Sequence, residues 1–201
     1  GRFVTDLIIS SGSVHKGHHS RYHRFFSKSA WCLDQLSRVL AKMLIAAFAP
    51  TGIIYLAVDD TLCRKRGLTV YGSGMHHDPL ISSRAKPLVS WGHDWVVITL
   101  IIVGPCWAPS KVWSLPIGFR LYRNRQGLTK GKKGKKAKPR KPDPNHRTRP
   151  ELAVELISLV AGWFPERNFV VSGDSAYGGA SVLKKLPANV DLISHVHPKG
   201  A

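Results

Sequence analysis

Two apolar segments of the chain each end on aspartate, a residue type that can bind a divalent cation. Segment 53–60 reads IIYLAVDD and segment 168–174 reads NFVVSGD. A carboxylate at the end of a buried strand is costly unless it is paired or binds a metal. Two such ends, brought together by one sheet, would begin a site for Mg²⁺ or Mn²⁺, because these ions prefer oxygen ligands.

The chain is strongly basic. Its 201 residues include 30 Lys and Arg but only 12 Asp and Glu, which gives a formal net charge of +18. This balance favours a polyanionic partner, and a phosphodiester backbone suits both the charge and the predicted metal site. A hydrophobic content of 43% predicts a folded core. No uninterrupted apolar stretch reaches the length of a membrane span, so no membrane association is expected.

The hydrophobic pattern predicts a helical N-terminal region over residues 1–50 and a domain with a mixed sheet over residues 51–201. An apolar period that includes Leu36, Val39, Leu40 and Met43 predicts a helix over 30–49. Strands are predicted at 52–59, 94–104, 117–122, 168–172 and 190–195, with a short additional strand at 67–74. Helices are predicted at 150–164 and 180–186. The fold class is therefore α/β (a mixed α+β sheet), with the order βββ-α-β-α-β.

A basic, low-complexity segment at 130–149 interrupts this pattern. Ten of its twenty residues are Lys or Arg, with Gly and Pro between them. We expect a disordered insertion that contacts the DNA backbone, although a solvated loop that only aids solubility is the alternative. The predicted DNA-binding residues are Lys130, Lys132, Lys133, Lys135, Lys136, Lys138, Arg140 and Lys141.

Two further polar clusters have residue types that bind zinc. His76, His77 and Asp78 are consecutive, and His93 and Asp94 follow in the next predicted strand region. Because no second group at ligand spacing completes a tetrahedral set, polar turns beside strands are the favoured interpretation.

The element order is that of an RNase H-like sheet, and two motifs within it resemble a known family. Segment 58–61 (VDDT) is similar to the first carboxylate motif of the DDE transposases of bacterial insertion sequences. Segment 173–178 (GDSAYG) is similar to their second motif, and segment 19–27 (HSRYHRFFS) resembles the region that leads into their catalytic domains.

The resemblance implies that Asp59 and Asp174 are catalytic residues that bind Mg²⁺ or Mn²⁺. Asp60 is the alternative to Asp59, because adjacent residues of a strand point to opposite faces. The family also uses a third acid, usually a Glu on a later helix. After Asp174 the sequence offers only Asp191, so we expect the third acid beyond Ala201 and an incomplete catalytic domain that is inactive alone.

The resemblance further implies metal-dependent DNA cleavage and strand transfer at insertion-sequence ends. The expected partners are transposon-end and target DNA, bound by a homo-oligomer in a synaptic complex in the bacterial cytoplasm, at the nucleoid. One alternative is another RNase H-like nuclease, which would cut without strand transfer. A second alternative is a basic nucleic-acid-binding protein without enzymatic activity, which would bind through residues 130–149.

Overall fold

The computed structural model describes residues 3–67, 70–83, 85–105, 108–125 and 144–195. Contacts divide the chain into two compact units, Gly1–Leu36 and Ser37–Ala201. The first unit contains helices α1 (Val4–Ser10) and α2 (His19–Ser27) and a 3-10 turn at Val14–Lys16. Within the described ranges, no helix is long and apolar enough to cross a lipid bilayer.

Helix α3 (Leu33–Phe48) confirms the helix predicted at 30–49, but its buried face differs from the predicted apolar stripe. Its buried residues are Ser37, Ala41 and Ile45, spaced four apart, whereas Met43 is 66% exposed. From Ser37 onward α3 belongs to the second unit, while the sequence pattern places the whole helix in the N-terminal region.

The second unit is built on a six-stranded sheet. Its strands are β1 (Ile54–Arg64), β2 (Gly74–His77), β3 (Val89–Val103), β4 (Val112–Tyr122), β5 (Phe169–Gly173) and β6 (Val190–Ser194), and its later helices are α4 (Arg149–Trp163) and α5 (Ala180–Leu183). The spatial order is β4-β3-β1-β5-β6, with β3 antiparallel to β1 and β4, and β5 parallel to β1 and β6. This arrangement confirms the predicted mixed α/β, RNase H-like fold, and the short β2 pairs with the beginning of β3.

One face of the sheet packs against α4 and carries the hydrophobic core. Alternation along β1 places Ile54, Leu56 and Val58 on this face, and each is at most 2% exposed. The buried residues of α4 are Leu152, Ala153, Leu156, Ile157, Val160 and Ala161. The helix begins with a capping box, in which the side chains of Thr148 and Glu151 each accept a hydrogen bond from the other residue's backbone N–H.

Several predicted strand boundaries are wrong. The third strand begins at Val89 instead of residue 94, and the fourth begins at Val112 instead of residue 117. The first strand was expected to end at Asp59, but β1 continues to Arg64 because β3 pairs with it from Leu56 to Arg64. The two aspartates therefore lie within a long strand, at the point where the parallel partner β5 ends. The short strand predicted at 67–74 is instead β2, which begins at Gly74. A turn precedes it, in which Gly72 has a φ of 74°.

The interpretation of the two polar clusters as turns is also wrong. His76 lies in β2 and Asp94 in β3, and both side chains are buried. Asp78 follows β2 and is buried as well, where its carboxylate accepts two hydrogen bonds from Arg64 at 2.6 and 2.9 Å. Strand pairing between β2 and β3 brings these polar residues inside, so their spacing in the sequence does not indicate a surface loop.

The backbones of β1 and β3 approach closely at Gly92. A Cβ atom added there would lie 2.5 Å from the carbonyl oxygen of Cys63 and 3.0 Å from the Cα of Arg64. Both are backbone atoms, so no side-chain rotation can relieve the overlap. We expect Gly92→Ala to lower the free energy of unfolding by about 1–3 kcal/mol, measured by urea denaturation.

Gly162→Ala is the matched control, because a Cβ added at this α4 position would meet nothing within 4 Å beyond its chain neighbours and the backbone of its own helix. Alanine is favoured over glycine in helices, so this substitution should raise the free energy of unfolding by up to ~1 kcal/mol. If Gly92→Ala were as well tolerated as Gly162→Ala, the close approach of β1 and β3 would be contradicted.

Candidate active site

Strand pairing places Asp59 and Asp174 beside each other. The parallel ladder of β1 and β5 runs from Ile54 opposite Phe169 to Val58 opposite Gly173. Asp59 and Asp174 each follow the last pair of this ladder. The negative charge of Asp174 also contributes to a raised pKa of Asp59, which agrees with their proximity.

The two neighbouring aspartates of β1 point to opposite faces of the sheet. Val58 is buried in the core, and alternation places Asp60 on the same face, towards α4. Asp59 points to the other face, where its side chain is partly exposed and lines a groove of about 740 Å³. The groove is otherwise lined mainly by apolar and aromatic side chains, among them Trp95 and Phe119.

Asp60 is engaged on the core side of the sheet. Its Oδ1 accepts a hydrogen bond from the hydroxyl of Tyr177 at 3.1 Å, and its Oδ2 lies 3.5 Å from Nε of Arg149. The backbone N–H of Asp60 donates to Oδ1 of Asp59 at 2.8 Å, which orients the Asp59 carboxylate. Of the two aspartates, Asp59 is therefore the one that faces the groove.

The pKa of Asp59 is raised above its ordinary value. Partial burial of the carboxylate is the largest cause, and the negative charges of Asp60 and Asp174 add to it, while the hydrogen bond from the Asp60 N–H acts in the opposite direction. A divalent cation bound at this point would compensate both the burial and the repulsion.

Contacts made by the loop after β5 explain the residue types of the second motif, segment 173–178. Oδ1 of Asp174 accepts the backbone N–H of Ala176 at 2.9 Å, which closes an Asx-type turn. Ser194 of β6 donates its hydroxyl to the carbonyl oxygen of Asp174 at 2.6 Å. A Cβ added at Gly178 would lie 2.6 Å from that same hydroxyl, so glycine lets the loop pack against β6.

A buried polar cluster adjoins the core side of Asp60. Arg149, the first residue of α4, donates from Nε to Oδ2 of Asp94 at 2.8 Å and makes a second hydrogen bond from Nη2. Its guanidinium lies over the ring of Tyr122, 4.4 Å from the centroid. Nδ1 of His76 lies 3.6 Å from Oδ2 of Asp94, and burial lowers the pKa of His76 although the Asp94 charge opposes this.

The chain was also compared with known proteins. Residues 8–199 match the family described as DDE superfamily endonuclease. The chain belongs to this family. Among solved structures, this DDE superfamily member is similar to piggyBac transposase in a cryo-EM structure of its synaptic complex with hairpin DNA, with 13% identity and a TM-score of 0.39. That match covers 98% of this chain but 38% of the transposase chain. No curated protein matches the sequence.

Endonucleases of the DDE superfamily generally use divalent metal ions. Asp59 and Asp174 fit such an ion, because Mg²⁺ is often held by one or two carboxylates together with substrate phosphates. Within the part of the chain that the structure describes, no group of three or more His, Cys, Asp or Glu side chains could hold a metal. In a complex, the remaining coordination positions would be filled by water and phosphate oxygen.

The described acids other than this pair have separate structural roles or lie apart from it. Glu151 caps α4, Glu155 pairs with Arg120 and Arg147, and Asp191 is exposed on β6. None of them completes a metal-binding group with Asp59 and Asp174 among the described residues. The eight basic residues predicted to contact DNA lie outside the described ranges: Lys130, Lys132, Lys133, Lys135, Lys136, Lys138, Arg140 and Lys141.

Sequence reasoning missed Arg149, which it assigned to the basic insertion at 130–149. The structure corrects this, because Arg149 is helical and binds a buried carboxylate. One signal was available: Thr148 and Glu151 have the spacing of a capping box around Pro150, and this spacing indicates a helix that begins at Arg149. A cation in the first turn opposes the helix dipole, which itself suggests an acidic partner.

Without metal, the protein is expected to become more stable when Asp59 is replaced by Asn. Folding raises the pKa of this carboxyl, so its ionised form disfavours the folded state. The stability gained by the substitution is largest at pH values above the pKa of Asp59 in the folded state. It shrinks as the pH falls through that pKa, and it vanishes below the ordinary carboxyl pKa of about 4. Because solvent screens an exposed carboxylate, we expect Tm at pH 7 to rise by only ~1–2 °C.

In saturating Mn²⁺ the wild type should instead be more stable than the Asp59→Asn variant, since an ion that binds only the wild type stabilises only the wild type. Asp191→Asn is the control, because it makes the same change at an exposed carboxylate of β6. A metal-free wild type that is more stable than the Asp59→Asn variant at pH 7 would contradict the raised pKa.

Proposed function

We propose that this protein is the catalytic domain of a DNA transposase, in which Asp59 and Asp174 hold Mg²⁺ or Mn²⁺ at a DNA phosphodiester. The observation that carries the proposal is that Asp59 and Asp174 each stand one residue beyond the last pair of the β1–β5 ladder, Val58 opposite Gly173. The family match over residues 8–199 and the net charge of +18 support a polyanionic substrate.

The side chains have distinct tasks in this proposal. The bound metal would activate water or a 3′-hydroxyl for attack and stabilise the leaving oxygen. Asp59 supplies a carboxylate on the open face of the sheet, held by the N–H of Asp60. Asp174 supplies the second carboxylate from a loop fixed by Ser194 and by its own Asx-type turn.

The DNA would bind through basic residues, with the run of Lys130 to Lys141 as the main contact to the backbone. Such contacts position DNA without selecting its sequence. The transposon end and the target would both be bound in a synaptic complex of several copies of the chain, at the nucleoid of a bacterial cell.

The experiment uses the protein expressed from its complete reading frame, a supercoiled plasmid, and a labelled oligonucleotide with a free 3′-hydroxyl. We expect nicking and joining of the label to the plasmid in Mn²⁺ or Mg²⁺, and neither reaction in the Asp59→Asn or Asp174→Asn variants. Nicking without joining would indicate a different RNase H-like nuclease. DNA binding without nicking, unaffected by metal and by both substitutions, would indicate a basic binding protein without enzymatic activity.

A further inference from the structure

Tyr177 is fully buried between the two carboxylate segments. Its exposed fraction is 0%, and it is among the largest fully buried side chains of the protein. A buried phenol requires a hydrogen-bond partner, and its hydroxyl donates to Oδ1 of Asp60 at 3.1 Å. Burial and the charge of Asp60 raise the pKa of Tyr177 far above its ordinary value, so the hydroxyl remains a donor.

This hydrogen bond joins the segments that carry the two metal-binding aspartates. On one side, Asp60 is the neighbour of Asp59 and orients it through its backbone N–H. On the other side, the N–H of Tyr177 donates to the carbonyl oxygen of Asp174 at 3.1 Å. A change at the Tyr177–Asp60 contact therefore acts on the separation and direction of the two carboxylates.

The Asp60 end of this contact is itself held in place. Arg149 lies 3.5 Å from the second carboxylate oxygen of Asp60 and is anchored by hydrogen bonds to Asp94, which is 1% exposed. The guanidinium of Arg149 also lies over the ring of Tyr122, 4.4 Å from its centroid. The polar contacts thus run without interruption from a buried carboxylate of β3 to the loop after β5.

We propose that Tyr177 and Asp60 are positioning residues, which set the separation of Asp59 and Asp174 for metal binding without touching the metal. The inference rests on the proposed metal site and adds to it how the fold tunes that site. Partners that orient metal ligands commonly contribute 10–100-fold to metal affinity, so the loss of this hydrogen bond should be measurable.

The test is calorimetric titration of the full chain with Mn²⁺ at pH 7. Tyr177→Phe removes only the hydroxyl and should weaken Mn²⁺ binding by ~10-fold or more. Tyr55→Phe is the control, because it makes the same change at a tyrosine of β1 that is 49% exposed. It should leave the Mn²⁺ affinity unchanged.

A double-mutant cycle separates positioning from a general loss of stability. In an Asp60→Ala background, Tyr177→Phe should have no further effect on Mn²⁺ affinity, since the hydrogen bond is already absent. Asp60→Asn and Asp60→Ala lose the same charge, but Asn keeps an oxygen that accepts the hydroxyl, so it should bind Mn²⁺ more tightly than Ala. If the Tyr177→Phe chain does not fold, the comparison of Asp60→Asn with Asp60→Ala decides whether the positioning role holds.

The outcomes distinguish the two proposals. Wild-type Mn²⁺ affinity in the folded Tyr177→Phe variant, or equal affinity of the Asp60→Asn and Asp60→Ala variants, overturns the positioning role alone. Failure of the wild-type chain to bind Mn²⁺ overturns the proposed function and the positioning role with it.

Discussion

Replacing Asp59 with Asn is expected to abolish metal-dependent DNA cleavage. The substitution keeps the size of the side chain and removes the negative charge that faces the groove. Metal ions contribute several kcal/mol of charge stabilisation to such transition states, so we expect a rate loss of about 10³-fold or more. Nicking of a supercoiled plasmid in Mn²⁺, followed over time with the protein from its complete reading frame, measures the effect.

Asp60→Asn is the matched control, one residue away on the same strand. Its side chain points towards α4, and the new amide oxygen can still accept the hydroxyl of Tyr177. Because it acts only through its neighbours, we expect the nicking rate to fall by no more than ~10-fold. If Asp60→Asn abolished nicking while Asp59→Asn left it unchanged, the assignment of the metal ligand to the open face would be reversed.

Replacing Arg149 with Ala is expected to give the largest loss of stability. Asp94 is 1% exposed, and its carboxylate accepts a hydrogen bond from the guanidinium of Arg149. Removing one partner of a buried ion pair leaves an uncompensated charge, which costs about 3–5 kcal/mol. Since the side chain of Arg149 is 30% exposed, we expect a loss near the lower end, about 3 kcal/mol in the free energy of unfolding by urea denaturation.

Arg147→Ala provides the comparison for Arg149→Ala. Arg147 also pairs with a carboxylate, that of Glu155, but its side chain is 54% exposed and Glu155 is 31% exposed. Exposed ion pairs contribute little, so we expect a loss of ~1 kcal/mol or less. Equal losses for the two arginines would show that the buried cluster around Asp94 does not stabilise the fold as the structure implies.

That Asp59 and Asp174 come after neighbouring segments of one sheet could be predicted from sequence, because each follows a short run of apolar, strand-forming residues. Such runs form buried strands, and the predicted order βββ-α-β-α-β, which is that of an RNase H-like sheet, places both strands in one sheet. The same pattern predicted α4 to within one residue at each end, since the apolar period of this helix is bounded by Pro150 and by Pro165.

The face of each aspartate could not be chosen from the residues alone. Alternation states that Asp59 and Asp60 point in opposite directions, but only the burial of Val58 against α4 shows which direction is the core. Sequence therefore left both candidates open, and the family pattern alone favoured Asp59. The structure adds a physical reason, because Asp60 is engaged by Tyr177 and lies close to Arg149.

The buried polar cluster escaped sequence reasoning because its members are far apart in the chain. His76, Asp94 and Arg149 come from β2, β3 and the start of α4, and polar residues beside Gly and Pro resemble surface turns. The buried face of α3 was missed for a related reason. Its apolar stripe is wide, and within it Ala41 and Ile45 are buried, whereas Leu36 and Met43 are exposed.

In the proposed function, Asp59 and Asp174 together form one metal-binding site. The most direct measurement is a Mn²⁺ titration, followed by the electron paramagnetic resonance signal of the free ion, with the wild type, both Asn variants and the double variant. We expect the wild type to bind Mn²⁺ and either single substitution to abolish the binding as completely as both together. Mn²⁺ binding that persists unchanged in the double variant would contradict this expectation.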